Sequence, residues 1–178
     1  MAARGWNNKR VGQIGEFLFC AELARNTGCI ATPFAGNLPS FDVLVANESG
    51  ESMAIQVKTI ASGDWQFDAK KYLDIAFDHL VKTQTIRGRK PLDSPELVFG
   101  FVKLRESSKF HDRFFIMTAV DLQTLIFEEY TAWLSKHSGR RPRNWETTHC
   151  AVRLKDVEPF EHRWRVIENR LHLDPRDS

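Results

Sequence analysis

The chain has 178 residues, 42% of them hydrophobic and 27% charged, with a formal net charge of +2. These are ordinary globular proportions and enough length for a single domain with its own core; the near-neutral balance excludes a global basic field, so any nucleic-acid affinity must come from local patches. No apolar run approaches the ~18 residues of a membrane span, and the opening MAARGWNNKR has positive charge without the apolar segment of a secretory signal. Cys20, Cys29 and Cys150 form no C-x-x-C pair, and their odd number suits a soluble protein of the reducing cytoplasm.

In chain order, Asn7 or Asn8 is placed to cap a helix running to Asn26 or Thr27, with Gly28 offering a left-handed C-terminal turn. From Ile14 to Ala24 the sequence is apolar nearly all round, which predicts a buried helix. Glu16 lies inside that stretch, so its carboxylate needs a partner or an opening; the plainer reading is a salt bridge at the helix start, where acids are favoured. Cys29 to Phe34 reads as a strand, closed by Pro33 and the Gly36-Asn37-Leu38-Pro39 turn. Phe41–Val45 and Ala54–Thr59 then read as two strands of an antiparallel hairpin, joined by the polar stretch from Asn47 to Ser52.

Alternation puts Gln56 and Lys58 on one face of the second hairpin strand and Ile55, Val57 and Thr59 on the other. An odd-numbered loop centred near Ser49 or Gly50 places Asp42 on the face of Gln56 and Lys58. A carboxylate, an amide and an ammonium then converge, and the bland alternative is an edge hairpin with a solvated outer face.

The next acids, Asp64 and Asp68, fall in a loop with Trp65. A strand is expected near Tyr72 to Phe77, then a weaker helix, then a basic turn from Ile86 to Pro91 carrying Arg87, Arg89 and Lys90. Leu97–Leu104 and Arg113–Met117 are apolar enough to be central strands of a covered sheet. From Asp121 the spacing of Leu122, Leu125, Ile126 and Trp133 is helical, ending before Gly139. The most basic loop follows, with Arg140, Arg141 and Arg143 before Trp145. A short strand, Ala151–Leu154, precedes a terminal helix from Pro159 to Leu171 whose inner face is Phe160, Trp164, Ile167 and Leu171; Asp174 to Ser178 should fray. His149-Cys150 lacks metal-ligand spacing, and no Gly-rich phosphate loop precedes a helix. Trp65 and Trp145 are the tryptophans whose polar settings suit stacking on a base.

The pattern D-x13-Q-x-K formed by Asp42, Gln56 and Lys58 resembles the PD-(D/E)xK nuclease superfamily, whose restriction-endonuclease-like and Holliday-junction-resolvase-like branches include a Gln-x-Lys variant. Pro39 stands three residues before Asp42, and Gln56 occupies the position where Asp or Glu is commoner. Glu16 matches the acid that many members carry on the preceding helix. The resemblance spans Val11 to about Thr59 and implies an α/β fold with a restriction-endonuclease-like αβββαβ core, a mixed central sheet flanked by helices, and further C-terminal helices.

The same resemblance implies Mg²⁺, or Mn²⁺, held by Asp42, Glu16, the Gln56 carbonyl oxygen and the backbone carbonyl of Val57, with Lys58 beside the attacking water or the phosphorane. Mg²⁺ keeps several waters, so one or two carboxylates suffice. The expectation is a DNA endonuclease, with phosphate contacts from Arg140, Arg141, Arg143, Arg87, Arg89 and Lys90 and a homodimer left open. The alternative is an inactive nucleic-acid-binding or protein-interaction module on that fold, for which Gln56 would be the mark.

Overall fold

The computed structural model describes residues 8–34 and 41–172. Asn7, the turn at 36–39 with Pro39, and the tail at 174–178 lie outside the described residues. The first helix, α1 (Asn8–Asn26), ends with the Thr27 N–H and hydroxyl both donating to the Leu23 carbonyl, each at 2.9 Å. Gly28 is not among the glycines with positive φ, so the helix stops on a threonine instead of the expected left-handed glycine. Only one stripe of α1 is buried, from Val11 through Phe19 to Leu23, while Phe17 is exposed. The all-round burial expected from its composition does not occur, because one sheet contacts one face.

Three strands follow, β1 (Ile30–Pro33), β2 (Val43–Ala46) and β3 (Ser52–Ile60), paired antiparallel in order. The segment after them, where the αβββαβ pattern has a helix, is built from strands: β4 (Trp65–Asp68), then β5 (Leu73–Asp78) and β6 (Thr83–Arg89), which form an antiparallel hairpin. The helix expected after Phe77 is therefore β6. Its side chains alternate with a period of two: Gln84 is buried and Ile86 half-buried, while Thr85, Arg87 and Arg89 point outward, with β-branched residues favouring the pleat.

Next, β7 (Val98–Lys103) and β8 (Arg113–Thr118) complete a five-stranded sheet in the order β1-β2-β3-β7-β8. The β3–β7 pairing is parallel and the other three are antiparallel. The expected mixed α/β class, with a mixed central sheet flanked by helices, is the observed one. However, β8 is an edge strand, not a central one. It is apolar because both faces are covered and because the chain at Glu161 bridges to Phe115 along its free side.

The long helix α2 (Ala119–Lys136) starts on a capping box, in which the Thr118 hydroxyl accepts from the Asp121 N–H and the Asp121 carboxylate accepts from the Thr118 N–H. Strand β9 (His149–Val152) pairs with β4. The single terminal helix is replaced by α3 (Leu154–Val157), a 3₁₀ turn at Glu158–Phe160 that contains Pro159, and α4 (Arg165–Arg170). His162, at φ 53°, separates the last two. The chain crosses the β8 edge there, so Phe160 packs on one face of the sheet and Trp164, Ile167 and Leu171 on the other. A common inner face is impossible for residues on opposite sides of an edge.

Two cores result. Val43, Val45, Ile55, Val57, Val98, Val102, Phe114 and Ile116 meet α1 and α4; Phe99, Phe101, Phe115 and Met117 meet α2 and the two ribbons. The first contact is close because of two glycines. A Cβ on Gly15 would stand 1.8 Å from the Thr59 Oγ1, and one on Gly100 would stand 2.4 Å from the Phe19 ring. Among the described residues no helix is long and apolar enough to cross a membrane.

Candidate functional site

The β2–β3 register pairs Val43 with Ile55 and Ala46 with Ser52, which centres the connection on Ser49 and sets Asp42 opposite Gln56. Asn47 shapes that connection, its Oδ1 accepting from the Glu51 N–H at 2.9 Å and its carbonyl from Gly50 at 3.1 Å. Among the described residues, β3 beyond Ile55 is laddered only to β7. Asp42 stands at the end of the described β2–β3 pairing. Its N–H donates to the Ile55 carbonyl at 2.9 Å, and its Oδ2 accepts from the Val57 N–H at 2.8 Å. The carboxylate thereby does the work of a ladder carbonyl, which fixes its position and leaves Oδ1 for another ligand.

Glu16 approaches the same end of β3 from α1. Gly15 brings the helix backbone against Thr59, and the next residue follows. Burial pushes the Glu16 carboxyl above its ordinary value, the neighbouring Asp42 charge pushes it further, and Lys58 acts in the opposite direction. Asp42 and Lys58 are thus both within electrostatic reach of Glu16. Since α1 begins at Asn8, Glu16 lies about two turns inside it, and the helix-start salt bridge is not its role.

Gln56 and Lys58 project to the face away from Ile55 and Val57, next to Phe99 and Phe101 of β7. They open into a cleft of about 720 Å³ whose other walls include Phe67, Lys71, Tyr72 and Lys90. Asp42 stands opposite Gln56 in the β2–β3 register, and Glu16 feels the charges of both Asp42 and Lys58. Lys71 and Tyr72 escaped the sequence reading, although Asp68-Ala69-Lys70-Lys71-Tyr72 was an available signal. Burial pushes the Tyr72 hydroxyl up to about 12, so it is a neutral donor at any physiological pH.

The donor set available for a metal is oxygen only: the Asp42 and Glu16 carboxylates, the Gln56 amide and the Val57 carbonyl. Among the described residues no group of three or more His, Cys, Asp or Glu is gathered to hold one. A carboxylate beside a second acid, with its own proton affinity raised by burial and by that neighbour's charge, suits a hard, largely hydrated dication, which needs few protein ligands.

The two basic stretches fare differently residue by residue. Arg141 is a strut: its guanidinium covers the Trp133 ring at 4.6 Å and donates to the His149 carbonyl at 2.8 Å and the Tyr130 hydroxyl at 3.1 Å. Arg140 donates to the Val81 carbonyl at 2.8 Å, and Arg89 lies over the Phe127 ring and donates to the Thr124 hydroxyl. Lys90 reaches the Lys70 carbonyl at 2.8 Å at the cleft wall. Arg143 and Arg87 are exposed. Buried Gln84 joins the two stretches, donating to the Trp145 and Thr147 carbonyls while accepting from the Tyr130 hydroxyl. Trp65 is core, edge-on to Phe101 and Phe115 with its Nε1–H on the Lys58 carbonyl at 2.8 Å. It is therefore closed to base stacking. The thiols of Cys20 and Cys150 are buried and pushed up to about 11, which removes them as nucleophiles.

No protein-family profile matches the chain, and no curated protein matches it. Among solved structures, a bacterial homing endonuclease, I-Ssp6803I, aligns over 93% of this chain and 95% of its own with 13% identity and a TM-score of 0.46. That superposition is too loose to transfer a fold assignment, a residue role or an activity.

Proposed function

We propose that the chain is a Mg²⁺- or Mn²⁺-dependent DNA endonuclease of the PD-(D/E)xK type, acting in the cytoplasm. The observation that supports this reading is the electrostatic action of both Asp42 and Lys58 on Glu16, with Asp42 opposite Gln56 in the β2–β3 register. In this reading Asp42 Oδ1 and Glu16 hold the dication, with the Gln56 Oε1 and Val57 carbonyl as neutral ligands. Bound there, the ion would lower the pKa of a coordinated water and offset charge on the phosphate. Lys58 donates hydrogen bonds to the phosphate oxygens as negative charge grows on them. The Val57 N–H holds the Asp42 carboxylate in place throughout. Gln56 weakens the metal site relative to a glutamate, which favours one dication over two.

The test is cleavage of supercoiled plasmid, junction and single-stranded DNA across a titration of Mg²⁺ and Mn²⁺. Asp42→Asn keeps an acceptor for the Val57 N–H, so it separates chemistry from folding. It should lower the rate by about 10²-fold or more, as should Lys58→Ala. Gln56→Glu should tighten the metal. An Asp42→Asn protein that cuts at the wild-type rate ends this assignment. Tight DNA binding by a wild type that cuts with neither metal selects the binding module, with Gln56 as its mark.

A further inference from the structure

Resting on the DNA-endonuclease reading, we propose that the tip of the β5–β6 hairpin is an apolar wedge, Leu80, that enters duplex DNA about six base pairs from the Gln56–Lys58 cleft and unwinds it. Leu80 is 95% exposed and Val81 is 51% exposed. A single exposed leucine on a loose loop calls for no explanation. This one is braced. The Asp78 carboxylate accepts from the N–H groups of both Leu80 and Val81, at 2.9 and 3.2 Å, and Lys82 closes the loop in the left-handed region at φ 55°. Arg140 donates to the Val81 carbonyl from the neighbouring loop at 2.8 Å. Beneath the tip, the His79 and Phe77 rings stand edge-on to Trp145 at 4.9 and 6.1 Å.

The charges around the tip choose nucleic acid as the occupant. Lys82, Arg87, Arg140 and Arg143 are exposed on the hairpin and the loop that Gln84 fastens to it, against one exposed acid of that loop, Glu146, while the acid of the turn, Asp78, is engaged by the turn's own N–H groups. Cations that can reach flanking phosphates around an apolar side chain are what unstacking a base step requires. The hairpin's base is the cleft itself, since Lys71, Tyr72 and Lys90 line it and adjoin β5 and β6. Strand β5 has six residues; at about 3.3 Å each the tip stands ~20 Å away, or ~6 base pairs at ~3.4 Å per step.

The experiment uses the full chain with Ca²⁺ in place of Mg²⁺ to block cleavage. Relaxed plasmid is treated with topoisomerase while the protein is bound, and the change in linking number is read after its removal. Occupancy is measured separately by filter binding, and folding by thermal melting. The wild type should leave a topoisomer shift that Leu80→Ala reduces about fivefold or more at equal occupancy and that Leu80→Phe retains. Permanganate should find unstacked thymines about six base pairs from the cuts mapped with Mg²⁺.

A wild type that binds or cuts plasmid without a topoisomer shift overturns the wedge alone. So does an unchanged shift in Leu80→Ala, or a dimer that sediments as monomers once Leu80 is alanine, which would make the tip a contact between copies. Failure of the wild type to bind any plasmid would overturn the endonuclease reading as well.

Discussion

The two faces of the central sheet are covered by different means. The α1 and α4 side is apolar and closes by direct approach, with Gly15 against Thr59 and Gly100 under the Phe19 ring. The other side is covered by α2 and two ribbons, and polar side chains tie them together. Gln84 joins β6 to the basic loop, and Gln123 of α2 donates to the Tyr72 and Lys90 carbonyls at 2.9 and 2.7 Å, bracing the hairpin base. Here the sheet is left partly bare and a cleft forms. The tight side therefore fixes how α1, and Glu16 with it, lies on β3, whereas the ribbon side leaves an open cleft.

Overfilling the tight side is the strongest way to probe that division. Gly15→Ala forces Thr59 aside, and Gly100→Ala displaces the Phe19 ring. Each should cost about 3 kcal/mol, at the upper end for overpacking, read as a lower urea midpoint. Phe19→Leu should recover part of the Gly100→Ala loss by removing ring atoms, a coupling that independent sites would not show.

Cutting the polar ties should do less to stability and more to order. Gln84→Ala removes the acceptor nearest the buried Tyr130 hydroxyl and the amide donor to the Trp145 and Thr147 carbonyls, a loss of about 1–3 kcal/mol. Amide exchange should quicken at 139–147 while α1 is unaffected. Faster exchange in α1 as well would mean that the two faces unfold as one unit and that the division is wrong.

Within the basic loop, Arg141→Ala should lower stability by about 1 kcal/mol, since its guanidinium is partly desolvated on Trp133 and Tyr130. Arg143→Ala should leave stability unchanged and reduce the slope of log affinity against log salt by up to ~1. An Arg141→Ala protein of full stability with a reduced slope would reverse their roles.

Smallest is the effect of Glu16. Its carboxyl holds a proton more tightly in the fold than in the unfolded chain, so the folded protein is disfavoured progressively as pH rises above the ordinary 4.5. The cost is complete above the folded pKa. Without metal, Glu16→Gln should match the wild type below about pH 4 and melt slightly higher at pH 7. Adding Mg²⁺ should raise the wild-type melting temperature and leave the variant's where it was. A variant less stable than the wild type at pH 7 in EDTA would show that the carboxylate has a stabilising partner.

Much of the first side could be read in advance. Helix α1, the three antiparallel strands and the odd hairpin loop follow from local periodicity and turn residues, so Asp42 opposite Gln56 was a consequence of counting from Ser49. Less of the ribbon side was legible. The mixed pattern of Lys82 to Lys90 concealed β6, and an arginine in a polar loop looks the same in sequence whether it faces water or, like Arg141, covers a tryptophan.

The sequence alone determined which residues alternate along β3, that Gln56 and Lys58 share a face, and where the hairpin turns, because these depend on neighbours a few positions apart. Tertiary structure alone decided that Glu16 feels Asp42 and Lys58, since this depends on how closely Gly15 lets a helix lie on a strand reached through more than thirty intervening residues. It also decided that Gln84 welds two basic stretches into one arm, and that the chain rounds the β8 edge at Glu161 to send Phe160 and Trp164 into different cores. Such contacts are set by the packing of layers, and no periodicity within one segment encodes which layer it will meet.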